Sequence, residues 1–256
     1  MTLTTDGGDT DDSNDLALIA HQGFAHSYPP NTLAAMRGAA DDGADMIEID
    51  IQPCADGEIV VFHDASLGST TDAEGLVAET DCETVLDAEV HDSGETVPTL
   101  DAAMAAIPSE VGVNVELKSP GRSDDTGDDR SANGRRERWV PLAERTLDVC
   151  SEYDNSILLS SFHPPALAAA REVDATVPLA VLFADAVDRA FTAARRYDCV
   201  GINPSIGRTD RALVERARAK GLDVNPYTVT KPAQTARLRR LGVDGVIADS
   251  ASVLDS

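Results

Sequence analysis

From Leu16 onward, short apolar runs alternate with alanine-rich stretches whose apolar positions recur at helical spacing. The runs predict strands at Leu16–Ala20, Met46–Ile51, Ile59–Phe62, Val111–Leu117, Ile157–Ser161, Leu179–Phe183, Cys199–Ile202, Asp223–Tyr227 and Gly245–Ala248. Helices are predicted between them at Thr32–Asp42, Leu100–Ala106, Arg138–Cys150, Pro165–Glu172, Asp188–Arg196, Asp210–Lys220 and Ala233–Leu241. Several runs are apolar throughout, the mark of parallel strands covered on both faces. Repeated βα units over 256 residues predict an α/β fold of the TIM (β/α)8 barrel type rather than an open doubly wound sheet. Residues 1–15 read as a disordered acidic tail and residues 16–256 as one barrel domain. Ser119–Arg136, SPGRSDDTGDDRSANGRR, reads as a low-complexity insertion at the barrel mouth.

Polar residues interrupt this pattern at the carboxyl ends of the runs, where barrels of this kind place their active sites. His21 follows the first run. Glu48 and Asp50 are two positions apart in the second, so their side chains share a face. His63 closes the third run, and Glu116 and Lys118 end the fourth with the same spacing. Singly, each acid reads as a surface residue at a strand edge and each histidine as a hydrogen-bonded structural one. Jointly, three carboxylates suit a hard cation, Mg²⁺ or Ca²⁺, better than zinc. Two imidazoles can serve as general acid and base, and an ammonium can balance phosphate charge. An acid buried in a run such as Met46–Ile51 is costly unless it is paired or metal-bound. Phosphodiester cleavage fits this set of groups.

Composition sharpens the reading. Asp and Glu number 45 against 21 Lys and Arg, a net charge of −24. That surplus excludes a phosphate-neutralising nucleic-acid binder and disfavours an anionic membrane surface. The only lysines are Lys118, Lys220 and Lys231, which makes Lys118 conspicuous, and aromatics are 4%. Such a composition suits a high-salt cytosol, where screening shrinks self-repulsion, and points to a halophile such as a halophilic archaeon. With no apolar run long enough to cross a membrane and no signal h-region, the expected location is cytoplasmic. No glycine-rich phosphate loop follows the first run. Cys54, Cys82, Cys150 and Cys199 form no CxxC and suggest neither a zinc site nor a disulfide framework.

The residues resemble the glycerophosphodiester phosphodiesterase family in order and spacing. HQGFAHSYPPNT (His21–Thr32) resembles the family's His-Arg-Gly and Pro-Glu-Asn-Thr. ADMIEIDIQPCADGEIVVFHD (Ala44–Asp64) is similar to its Glu-x-Asp, Asp-Gly and His-Asp. LGSTTDAEGLV, TVPTLDAAM, VNVELK, SSFHPPAL, GLDVNPYTV and GVDGVIAD follow in the expected order. The resemblance implies a phospholipase-C-like barrel that hydrolyses glycerophosphodiesters to a glycerol phosphate and an alcohol. It makes His21 and His63 the acid–base pair and Glu48, Asp50 and Glu116 the ligands of a divalent cation, Mg²⁺ or Ca²⁺. Gln22, Lys118 and Tyr227 fall at substrate-binding positions. The implied partner is a small glycerophosphodiester, with no nucleic acid and no stable membrane association. Three departures stand out: Gln22 replaces an arginine, Pro30 a glutamate and Tyr227 a tryptophan. Losing a charged phosphate donor at position 22 costs roughly 1.5–3 kcal/mol. The alternative reading is therefore a catalytically weakened member that binds a phosphate or phosphodiester. His26, in the same loop as Gln22, could compensate for the missing arginine but reads more simply as an exposed loop residue, and His91 and His163 match no functional position.

Overall fold

In a computed structural model describing residues 16–119 and 132–255, all nine apolar runs become strands. They are β1 (Ala17–Ala20), β2 (Met46–Pro53), β3 (Ile59–Val61), β4 (Gly112–Leu117), β5 (Ile157–Ser161), β6 (Leu179–Phe183), β7 (Gly201–Pro204), β8 (Asp223–Val224) and β9 (Gly245–Ala248). Eight run parallel in the order β8-β7-β6-β5-β4-β2-β1-β9. The ends meet through backbone bonds beside β8: Asp244 N donates to Val224 O (3.0 Å) and Val229 N to Ile247 O (2.9 Å). The result is the nearly closed parallel barrel expected of the alternating pattern. β3 is the exception. It pairs antiparallel with β2, outside the barrel.

The helices are α1 (Leu33–Asp41), α2 (Cys82–Leu86), α3 (Leu100–Ala106), α4 (Ala132–Cys150), α5 (Pro164–Val173), α6 (Val187–Arg196), α7 (Arg211–Arg218) and α8 (Pro232–Leu241). A 3-10 turn, Ala251–Leu254, stands after β9 where a barrel helix would be. Local chemistry starts several of them. Thr32 caps α1, accepting from Ala35 N (3.2 Å), Thr99 caps α3 and Asp210 caps α7. α4 begins at Ala132, inside the stretch read as an insertion. The rest of that stretch from residue 120, and the tail at 1–15, lie outside the described residues.

Alternation along the strands separates two interiors. Ile47, Ile49 and Ile51 of β2 and Val113, Val115 and Leu117 of β4 are buried in the main apolar cluster, which includes Met36, Met104, Leu167 and Phe191 of the surrounding helices. Burying each such side chain contributes about 1.5–3 kcal/mol. The intervening residues occupy the other face. Glu48 is in register with Asn114, and Asp50 with Glu116, itself in register with Ser160. All five are buried. Along β2 and β4 the barrel interior is thus polar where most cores are apolar.

Between β2 and α3 the chain makes an excursion with its own apolar cluster, built on Val60, Phe62, Leu67, Val77, Val85 and Val97. Because β3 runs back along β2, Phe62 N bonds to Asp50 O (2.8 Å) and the next residue, His63, returns to the barrel rim.

Candidate active site

β1 ends in a 3-10 turn, His21–Gly23. Gln22 and Phe24 adopt left-handed φ values of 51° and 65°. Gly23, at φ 73°, is required there: a Cβ would stand 2.7 Å from Ala35 Cβ. The turn directs Gln22 N to Glu48 Oε2 (3.0 Å). His21 Nδ1 donates to Asp249 Oδ1 at 2.6 Å, and Asp249 directly follows β9, the neighbour of β1. Burial opposes the imidazolium, but the Asp249 hydrogen bond and the charges of Glu48 and Asp50 win, raising its pKa to about 9.

Three carboxylates lie beneath. Glu48, Asp50 and Glu116 are buried, with oxygen atoms within 4.8 Å of one another. Burial and mutual repulsion push Glu48 and Glu116 well above the carboxylate range. Asp50 is the exception. Burial works against its charge, yet Lys118, His63 and the Asn31 hydrogen bond hold its pKa low. Lys118 Nζ lies 2.9 Å from Asp50 Oδ1 and 2.6 Å from Glu116 Oε1. Asp50 Oδ2 accepts from Gln22 Nε2 (2.7 Å) and Asn31 Nδ2 (2.9 Å).

His63 stands on the same rim with half of its side chain exposed, its Nδ1 2.7 Å from Asp64 Oδ1. Gln52, the next inward-alternating residue of β2, donates from Nε2 to Phe62 O (2.8 Å) and Asp64 O (2.7 Å). One buried amide thus clamps both sides of His63.

A cavity of about 240 Å³ opens above these groups. His21, Glu48, His63, Glu116 and Lys118 form its polar side, and Phe162, Leu182, Tyr227 and Ile247 its apolar side. Phe162, although half exposed, packs edge-on against Tyr227 with ring centroids 5.6 Å apart. Of the site residues predicted from sequence, Asp50 and Gln22 lie below the cavity rather than on its wall, and the Gln22 amide is committed to Asp50. His26 and His91 are exposed loop residues, and the His163 ring packs tilted against Trp139, ring centroids 5.3 Å apart. A larger concavity of about 420 Å³, beside Arg195, Arg216 and Lys220, lies at the opposite end of the barrel.

The donor set fits a hard divalent cation. All three clustered acids offer oxygen, none offers sulfur, and Asp50 Oδ1 has an ion-pair contact but no aligned hydrogen bond. Lys118 alone does not neutralise the triad, so burial and the remaining mutual repulsion together push Glu48 and Glu116 up.

Comparison with known proteins shows the family and the fold. Residues 21–253 match the Glycerophosphoryl diester phosphodiesterase family. A glycerophosphodiester phosphodiesterase of Caldanaerobacter subterraneus is 28% identical, covering 93% of this chain and 95% of the relative. A phosphodiesterase structure from Oleispira antarctica, in complex with the product sn-glycerol-3-phosphate, is similar with a TM-score of 0.82 at 26% identity. It covers 93% of this chain and 96% of its own. A Thermotoga maritima glycerophosphodiester phosphodiesterase shares the fold, with a TM-score of 0.74 at 19% identity over 93% and 96% of the two chains. The chain belongs to the glycerophosphodiester phosphodiesterase family.

Proposed function

We propose that this site hydrolyses a glycerophosphodiester to a glycerol phosphate and an alcohol with a divalent cation held by Glu48, Asp50 and Glu116. The observation that carries the proposal is the arrangement of three buried carboxylates and one lysine between two histidines, each backed by its own carboxylate. The cation, Mg²⁺ or Ca²⁺, supplies charge withdrawal from a phosphoryl oxygen. Everything else falls to the chain. Asp249 and Asp64 each engage Nδ1 of their histidine, which fixes the tautomer and leaves Nε2 for proton transfer. One histidine takes the proton of the attacking hydroxyl and the other supplies one to the departing oxygen. Each such role is typically worth about 10²–10⁴ in rate. Lys118 is positioned to balance phosphate charge. Tyr227 and Phe162 offer an aromatic wall for the carbon part of the substrate.

The binding-protein reading rests on Gln22. An amide supplies no positive charge where the family pattern has arginine, and here it serves Asp50 instead. A panel of glycerophosphodiesters at molar salt separates the readings. The enzyme reading expects turnover by the wild type, lost in His63→Ala and Glu48→Ala. The binding reading expects negligible wild-type turnover and a large gain in Gln22→Arg.

A further inference from the structure

Cys54, just past the end of β2, and Cys82, the first residue of α2, are far apart in sequence but meet at the base of the excursion. Their sulfurs and an Asp56 carboxylate oxygen all lie within 4.8 Å of one another. Two hydrogen bonds join their segments: Ala55 N donates to Thr80 O (2.9 Å) and Cys82 N to the Asp56 side-chain Oδ2 (3.3 Å). Both are free thiols in the same apolar cluster, while Asp56 beside them is exposed. Burial holds both thiols protonated. The Cys54 thiol also hydrogen-bonds the Cys82 sulfur, which favours Cys82 as the thiolate of the two. Structural zinc takes four ligands, and among the described residues no fourth His, Cys, Asp or Glu joins this group. The chemistry left to two thiols in contact is oxidation to a disulfide.

We propose that Cys54 and Cys82 are a redox modification site, oxidised by a low-molecular-weight disulfide (RSSR) to a Cys54–Cys82 disulfide that closes the loop carrying His63. In the first step the Cys82 thiolate attacks RSSR. One S–S bond forms as another breaks, and the departing thiolate takes up the proton Cys82 had lost. In the second, Cys54 attacks the Cys82 sulfur of the mixed disulfide and its proton leaves with the second RS⁻. Two protein thiols are oxidised, RSSR is reduced to two RSH, and no proton or electron is left over. The closed loop, roughly thirty residues long, restricts the unfolded chain and resists local opening of the segment that holds His63.

The test treats the full chain with oxidised glutathione, then counts thiols under denaturation and maps peptides by mass spectrometry. The expected result is loss of two of the four thiols, with one cross-link joining the Cys54 and Cys82 peptides. A rise in Tm of roughly 5–10 °C, reversed by dithiothreitol, should accompany it. A Cys150→Ser/Cys199→Ser variant should behave alike, and Cys82→Ser should show neither cross-link nor rise. Four persistent thiols, a cross-link to Cys150 or Cys199, a stable glutathione adduct on Cys82, or stoichiometric zinc held by the two thiols would each overturn the proposal.

Discussion

Asp50 shows how much of this site depends on single side chains whose work is positional. Its buried carboxylate is held by Gln22, Asn31 and Lys118, and each contact has a separate origin in the chain. Gln52 plays the corresponding part for His63. Replacing Gln52 by methionine keeps the bulk but strands two carbonyls, which should cost about 1–3 kcal/mol of stability in urea titrations. It should also lower kcat by misplacing His63. In a His63→Ala background the rate loss should vanish while the stability loss persists; independent rate losses would mean that Gln52 does not act through His63. Gln22→Ala should leave Asp50 Oδ2 with the Asn31 donor alone. The expected effect is about 1 kcal/mol of stability lost.

At the scale of elements, the strands were legible because their apolar runs are short and bounded, and five of the seven predicted helices end within a residue of their predicted limits. What the pattern does not reveal is direction. β3 has the same apolar signature as its neighbours yet turns back antiparallel, so His63 reaches the rim from outside the barrel. β8 shrinks to Asp223–Val224, since Pro226 has no N–H to give to a ladder. The candidate chemistry at the strand ends was readable from two-residue spacing. Asp249, Gln52 and Phe162 were not, because their roles exist only once β9 lies beside β1, β3 folds on β2, and β5 delivers Phe162 to Tyr227. The loop of Pro29–Thr32 divides its labour similarly. Thr32 caps α1 and Asn31, at φ 60°, turns back to Asp50. Thr32→Ala should therefore cost about 1 kcal/mol in thermal unfolding with little change in kcat. Asn31→Ala should depress kcat more than stability. Equal effects of both substitutions on rate would contradict this division.

For the whole molecule, the charge of −24 divides into two populations. Most of the described acids are exposed, and surface ion pairs such as Arg145–Glu58 and Arg216–Asp188 contribute little each. Self-repulsion therefore outweighs local pairing at low salt. Raising KCl from 0.1 M to 2 M cuts the screening length from about 10 Å to below about 3 Å. Tm should rise by at least roughly 5 °C over that range; a flat or falling Tm would remove the case for adaptation to brine. Glu48, Asp50 and Glu116 form the other population, an interior deficit of positive charge answered in part by Lys118. The most direct test is release of glycerol phosphate from glycerophosphodiesters at molar salt, with Mg²⁺ or Ca²⁺ and then with excess EDTA. The account predicts turnover that EDTA abolishes and that Glu48→Ala reduces at least about 100-fold. Turnover unchanged by EDTA and by Glu48→Ala, or none from any glycerophosphodiester, would contradict it.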